Sequence, residues 1–304
     1  MLKWIKKRNS MEIASSELIL NENKSIYHLH LKPSEIADTI ITVGDPERVE
    51  KVSCYFDEIE CKISKREFKT HTGRIGNKRV SVISTGIGTD NIDIVLNELD
   101  ALVNIDFESR KVKDRLSKLH IIRLGTSGTL QPHIPVDSIL LSKHAIGMDG
   151  LMHFYERNSE GILDLFQREV ENHLQEFLLQ TGMKPYAAMS SAILFKHFSS
   201  LADFDGITCT ATGFYGPQNR KLRLNPKMKD FFGLLQGFHF DGVTVTNLEM
   251  ETAGIYAMSN LLGHEAISIN AILANRIQGQ FSKNPEKTIG NLIQKAIAQI
   301  ESIA

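Results

Sequence analysis

The chain has 304 residues, 42% hydrophobic and 23% charged, and 35 basic against 36 acidic side chains leave a formal net charge of −1. That balance excludes a disordered chain, which is poor in apolar residues and far from neutral, and a nucleic-acid binder held by a basic excess. No apolar run reaches the roughly 18 residues of a membrane span, and three cysteines without a CxxC pair (Cys54, Cys61, Cys209) make no disulfide framework and predict a reducing, cytoplasmic setting.

The first residues, MLKWIKKRN, are positively charged, but no apolar segment of signal-peptide length follows them. Residues 1–24 read as a poorly ordered N-terminal extension. Residues 25–304 read as one domain, since no Pro/Gly/Ser tract, low-complexity block or repeat interrupts them. Asp38–Val43 is a β-branched strand halted at Gly44-Asp45-Pro46, with Asp45 placed to cap a helix that Pro46 opens. Ile59–Lys69 and Arg79–Ser84 read as strands, with a turn at Gly76-Asn77. After Gly88-Thr89-Asp90, apolar residues at Ile92, Val95, Leu96, Leu99, Leu102 and Val103 follow helical spacing. The charged stretch Glu108–Lys118 reads as a solvated helical excursion. Leu119–Leu124 is a strand ending in a donor-rich turn, Gly125-Thr126-Ser127-Gly128. Further strands are predicted at 138–142, 186–191, 207–212, 243–246 and 266–273, and helices at 162–179, 226–235, 249–262 and 286–303. Strands interleaved with helices predict an α/β layer architecture around one sheet.

Polar groups gather at four strand ends. Gly44-Asp45-Pro46-Glu47-Arg48 sets free N–H groups and an arginine at a helix start, suited to an anion, or is an ordinary strand–turn–helix connection. Arg123 interrupts an apolar strand and needs a partner, either a ligand anion or an internal carboxylate. Phe214-Tyr215-Gly216-Pro217-Gln218-Asn219-Arg220 joins an aromatic face to an amide and a guanidinium. It can stack on a planar ring and read its edge, or be a surface loop anchored by Phe214. Asn247-Leu248-Glu249-Met250-Glu251 places two carboxylates at a helix start, one available for structure and one for a cavity, or both complementing the helix dipole. The eleven histidines form no HExxH, and Gly86-Ile87-Gly88 lacks the third glycine of a dinucleotide fingerprint, so neither a metal enzyme nor a Rossmann cofactor is indicated.

Seven segments occur in one order: GDPERVEKV from Gly44, SKREF around Arg66, STGIG from Ser84, RLGTSG from Arg123, FYGPQNR from Phe214, NLEMET from Asn247 and ANR from Ala274. In this the chain resembles the nucleoside phosphorylase-I family, from about Ile26 to its C-terminus. The resemblance implies a three-layer α/β/α sandwich with a mixed, partly barrel-like central sheet. It implies reversible phosphorolysis of uridine to uracil and ribose 1-phosphate, in pyrimidine salvage. The alternatives are a purine nucleoside phosphorylase or nucleosidase of the same fold, or a catalytically silent nucleoside-binding sensor.

The family's phosphate contacts fall on Gly44, Arg48, Arg123 and Thr126, with Arg66 lent across a dimer interface. Its ribose contacts fall on Thr126, Met250 and Glu251, the last holding the 2′- and 3′-hydroxyls, with His28 of IYHLHL reaching across to the 5′-hydroxyl. Its base contacts fall on Phe214, Gln218, Arg220 and Leu273, with Arg276 supporting Arg220; Arg123, Glu251 and Arg220 carry the catalysis. Glu67, Ile87 and Asn91 fall where related enzymes hold a monovalent cation, K+, between subunits. No other cofactor is implied, phosphate being a co-substrate. The implied assembly is a homodimer, or a hexamer built as a trimer of dimers, with no nucleic-acid or membrane partner. Purine-cleaving relatives place an Asp where Arg276 stands, so Arg276 implies a pyrimidine. Two segments depart from the family: Thr89-Asp90-Asn91 replaces a Gly-Pro-Ser-like stretch, and Gly216-Pro217 inverts Pro-Gly. On this reading Arg123→Ala abolishes phosphate-dependent cleavage and leaves the fold largely intact.

Overall fold

The computed structural model describes residues 11–157 and 160–303, so the basic start, Met1–Asn9, lies outside the described residues. Within the span read as one domain, contacts divide the chain into two compact units. The first is drawn from residues up to Gly86 and from Ile94–His120, the second from Ile87–Asp93 and from Ile121 onward.

In the first unit, β1 (Thr39–Val43) is buried at every position, the pattern of a strand covered on both faces. It pairs in parallel with β4 (Lys78–Ser84), and β3 (Phe68–Ile75) and β2 (Glu58–Lys65) follow as antiparallel neighbours. The run read as a single strand over 59–69 is therefore β2 plus the start of β3, turned at Arg66, whose φ is 53°. α1 (Pro46–Ser53) starts as expected: Asp45 accepts the Glu47 N–H at 2.9 Å and Pro46 opens the helix.

The helix expected over 108–118 does not form. Two-residue strands at Ile105–Asp106 and Lys111–Val112 pair around a turn, and the Ser109 N–H and hydroxyl both donate to Asp106 Oδ1 at 2.7 Å. Such local bonds compete with helix formation. Arg110, with φ 53°, sends its guanidinium to the carbonyls of Ile13, Ala14 and Leu18 at 2.8, 3.0 and 2.5 Å. Of the extension read over 1–24, the part from residue 11 is thus tied to this turn, with Leu18 buried.

The helix announced by its apolar spacing is α2 (Thr89–Asn104), whose Ile92, Val95, Leu96 and Leu99 are fully buried. In the second unit, β5 (His120–Thr129), β6 (Ile139–Met148), β8 (Phe204–Ala211), β9 (Val243–Glu249) and β10 (Glu265–Asn275) run in the order β9-β8-β6-β10-β5. β5 then pairs back onto β9 through Gly128 with Leu248 and Thr129 with Asn247, closing a five-stranded barrel. Pairs β9–β8 and β8–β6 are parallel and β6–β10 is antiparallel, so the α/β class and the mixed, partly barrel-like sheet are as expected. β7 (Tyr186–Met189) pairs with β6 beside this ring.

Closure corrects one expectation. The strand does not stop at Leu124 but continues through Gly125-Thr126-Ser127 to Gly128 and Thr129, which pair with β9. Gly125 serves a side chain rather than a turn: a Cβ there would lie 1.8 Å from Arg123 Nη1. The helix read over 162–179 is two, α3 (Ile162–His173) and α4 (Gln175–Thr181), parted at Leu174. After α5 (Ala192–Phe198), the helix read over 226–235 contracts to α6 (Phe231–Gln236). α7 (Thr252–Leu262) ends at Gly263, φ 82°, and α8 (Pro285–Ile300) is capped by Asn284. Phe166, Phe177, Phe231 and Phe238 fill the apolar core on this side of the barrel. Among the described residues no helix is long and apolar enough to cross a membrane.

Candidate active site

The β9–α7 junction carries the densest buried polar cluster. Glu249, the last residue of β9, stays in the strand and turns its carboxylate onto the helix start, accepting the N–H groups of Glu251 and Thr252 at 2.9 Å each. It also accepts the Thr210 hydroxyl at 2.6 Å. Glu249 is thus the structural member of the carboxylate pair, capping α7 from outside it. Glu251 points elsewhere. Its Oε1 accepts the Gly88 N–H at 2.8 Å and its Oε2 meets Arg123 Nη2 at 2.6 Å.

Arg123 lies between the two acids. Nη2 is also 2.9 Å from Glu249 Oε2, and Nη1 donates to Asn270 Oδ1 at 2.8 Å and to Ser268 Oγ at 3.3 Å. Burial alone would push this guanidinium down; the charges of Glu249 and Glu251 reverse that and hold it above its ordinary value. Burial pushes the Glu251 carboxyl up, Arg123 pulls it back, and the neighbouring Glu249 charge raises it again. One cation against two carboxylates leaves the cluster acidic. Of the two partners that the sequence leaves open for Arg123, the structure shows the internal carboxylates. Thr126 sits three residues along β5 and Met250 between the two acids, both half-buried.

The base loop is the second cluster. Gln218 is buried, and its Oε1 accepts from Arg220 Nη1 at 2.6 Å. The same Nη1 donates to the Phe214 carbonyl at 2.8 Å, and the guanidinium lies 3.7 Å over the Phe214 ring centroid. One face of that ring is therefore taken by Arg220, leaving the other for a stacking partner. Arg276, just past β10, donates to the Gln218 carbonyl at 3.2 Å and so supports the loop through its main chain. Burial, then the like charge of Arg276, pushes Arg220 down to about 10. With Gln218 Oε1 occupied, the amide presents its N–H groups, and Gln218, Arg220 and Arg276 together form a donor-rich edge. Leu273, half-buried on β10, precedes Arg276 by three residues. An open cavity of about 580 Å³ flanks this loop, lined by Tyr215, Leu222, Met228 and Phe231; Arg220 is the one predicted site residue on its wall.

The remaining predicted residues belong to the first unit or lie just before or within the first turn of α2. Gly44 follows β1 and Arg48 lies in the first turn of α1. His28 Nδ1 is 2.7 Å from Glu98 Oε1, and Glu98 also accepts the N–H groups of His28 and Leu29. The Tyr27 ring packs edge-on to the His28 ring, centroids 4.8 Å apart, and the Arg66 guanidinium lies 5.8 Å from the Tyr27 centroid. His28 and Arg66 therefore share one surface, with Tyr27 between them. Glu67 follows Arg66 in the hairpin turn, Ile87 is 68% exposed, and Asn91 is in the first turn of α2.

A model of the phosphorylase superfamily matches residues 38–303. The chain belongs to that superfamily. Its relatives include a uridine phosphorylase of Thermococcus kodakarensis, 29% identical over 94% of this chain and 90% of the other. Another, from Haemophilus influenzae, is 27% identical over 92% of this chain and 97% of the other. Among solved structures, a Trypanosoma brucei nucleoside phosphorylase, described as showing uridine phosphorylase activity, superposes with a TM-score of 0.85 at 28% identity, covering 94% of this chain and all of the other. The sequence motifs do not mark Asn270 and Ser268 beside Arg123, nor Glu98 and Tyr27 beside His28. Polar residues inside the apolar run Ile267–Ile272 were a usable signal, since a buried amide demands a partner; Glu98 looks like any solvent-facing helix residue.

Proposed function

We propose that this phosphorylase-superfamily member cleaves uridine with inorganic phosphate, giving uracil and ribose 1-phosphate reversibly, in pyrimidine salvage. The observation that carries this reading is the donor-rich edge of the base loop. Breaking an N-glycosidic bond leaves negative charge on the departing base, and for uracil that charge sits on carbonyl oxygens. Gln218 and Arg220, with Arg276 behind them, stabilise it by hydrogen bonds and positive charge, without a side chain that delivers a proton to a purine nitrogen. Phe214 and Leu273 flank the ring.

The sugar becomes cationic as the bond breaks. Phosphate held by Gly44, Arg48, Arg123 and Thr126 offsets that charge and is positioned as the nucleophile. Glu251, steadied by Gly88 and Arg123, accepts the ribose 2′- and 3′-hydroxyls, and Met250 packs beside the sugar. Because Glu249 and Glu251 already share Arg123, an arriving phosphate adds to the negative charge there, and Arg48 with the neighbour's Arg66 offsets it. His28 and Arg66 are lent to a neighbouring subunit, for its 5′-hydroxyl and its phosphate; their common surface beside Tyr27 supports this. The working unit is then a homodimer, alone or in a trimer of dimers. For a K+ held between subunits, Glu67, Ile87 and Asn91 offer oxygen donors, the chemistry that ion takes. The free thiols of Cys54, Cys61 and Cys209 fit a cytoplasmic setting.

A nucleoside panel assayed with and without phosphate tests the reading. Uracil release from uridine should require phosphate, and inosine should be a poor substrate. Phosphate-independent release would make the protein a nucleosidase, preference for inosine a purine phosphorylase, and tight uridine binding without turnover a sensor.

A further inference from the structure

Thr89-Asp90-Asn91, the stretch that departs from the family pattern, is where the chain adds something of its own. Gly88, whose N–H holds Glu251 Oε1, has φ 99°, and a Cβ there would lie 2.7 Å from Asp90 Oδ1. A side chain at that φ is strained, which leaves the turn to glycine and the aim of its N–H to what fixes the next residue. Thr89 is buried. Its hydroxyl bonds to the carboxylate of Asp149, one residue past β6, and its methyl group lies against α7, 2.9 Å from where a Cβ on Gly254 would stand. Asp149 is itself braced. It accepts the Leu151 N–H at 2.9 Å and the Tyr186 hydroxyl at 2.8 Å. The Tyr186 ring is fully buried and packs over Gly147, where a Cβ would come within 2.0 Å of it.

We infer that Thr89 and Asp149 are positioning residues that tether the Gly88 turn and thereby aim its N–H at the carboxylate which reads the ribose hydroxyls. This rests on the proposed role of Glu251. The tether touches neither base nor phosphate and reaches Glu251 through Oε1, while Arg123 holds Oε2, so its effect falls first on the sugar: it sharpens discrimination between uridine and 2′-deoxyuridine. A bond to a charged acceptor is strong enough for its loss to be read kinetically.

The test is Thr89→Val, which keeps shape and the methyl contact with Gly254 but deletes the hydroxyl, beside Thr89→Ser, which keeps the hydroxyl. Thr89→Val should raise KM for uridine about tenfold, leave KM for phosphate within about twofold, and narrow the preference for uridine over 2′-deoxyuridine. Thr89→Ser should restore that preference. Wild-type behaviour of Thr89→Val, equal damage in both variants, or parallel loss for both nucleosides and phosphate would overturn the tether. So would a Thr89→Val protein that unfolds at the assay temperature, which assigns Thr89 to stability alone. Failure of the wild-type protein to cleave uridine is a different result, and it would remove the reading of Glu251 underneath.

Discussion

Arg123 is held by groups far away in sequence: Glu251 is 128 residues on and Asn270 is 147. A charge inside an apolar strand announces that a partner exists; nothing nearby says which. The structure therefore changes the expected outcome of Arg123→Ala. Removing the guanidinium leaves Glu249 and Glu251 buried without their cation, at a cost of about 3–5 kcal/mol, so the variant should lose stability along with phosphorolysis. Its urea midpoint decides this: a wild-type value would mean that the acids are relieved some other way. At the base loop, Gln218→Leu removes the amide and leaves Arg220 with the Phe214 carbonyl but without its side-chain acceptor. KM for uridine should rise by about tenfold to a hundredfold with KM for phosphate little changed, and equal rises in both would show that Gln218 does not read the base.

The elements legible in the sequence were those whose signals are local. Asp45 and Pro46 announced α1, the i, i+3, i+4 spacing announced α2, and Gly263 marked the end of α7. Elements that depend on a distant strand were not. β5 continues past Gly125, which makes room for Arg123, to Gly128, where β9 pairs with it, and Glu249 remains in its strand because Thr210 and Arg123 hold its carboxylate. Charge alone also misread residues 108–118, where an Asp–Ser turn and the three carbonyls taken by Arg110 outweigh helix propensity. Arg110→Ala should release residues 13–18. Limited proteolysis should then cut this segment much faster than in wild type, with little change at the β9–α7 junction; unchanged cleavage would mean that Arg110 does not anchor it.

At the scale of the whole molecule, His71 and His144 set a pH dependence. Burial pushes both imidazoles below their ordinary value of 6.5, more than the Asp241 carboxylate beside His144 offsets; Lys143 also faces that ring. The unfolded chain thus binds protons that the folded chain refuses, and stability falls as pH drops from 6.5 toward the folded-state values. The urea midpoint should be lower at about pH 5.5 than at about pH 8, and His144→Gln should flatten the slope. An unchanged slope would clear His144.

Site sharing between subunits also has a numerical signature. If Arg66→Ala and Glu251→Gln are each inactive and are co-expressed equally, half the dimers are mixed, and each mixed dimer rebuilds one of its two sites. About a quarter of wild-type activity should return; none would return if each subunit used its own Arg66.

The central claim is that inorganic phosphate, and not water, takes the sugar from a pyrimidine. Product stoichiometry with purified protein and uridine measures this most directly. The account predicts one uracil and one ribose 1-phosphate for each phosphate consumed, with no release when phosphate is left out. Free ribose formed at the same rate without phosphate would contradict it.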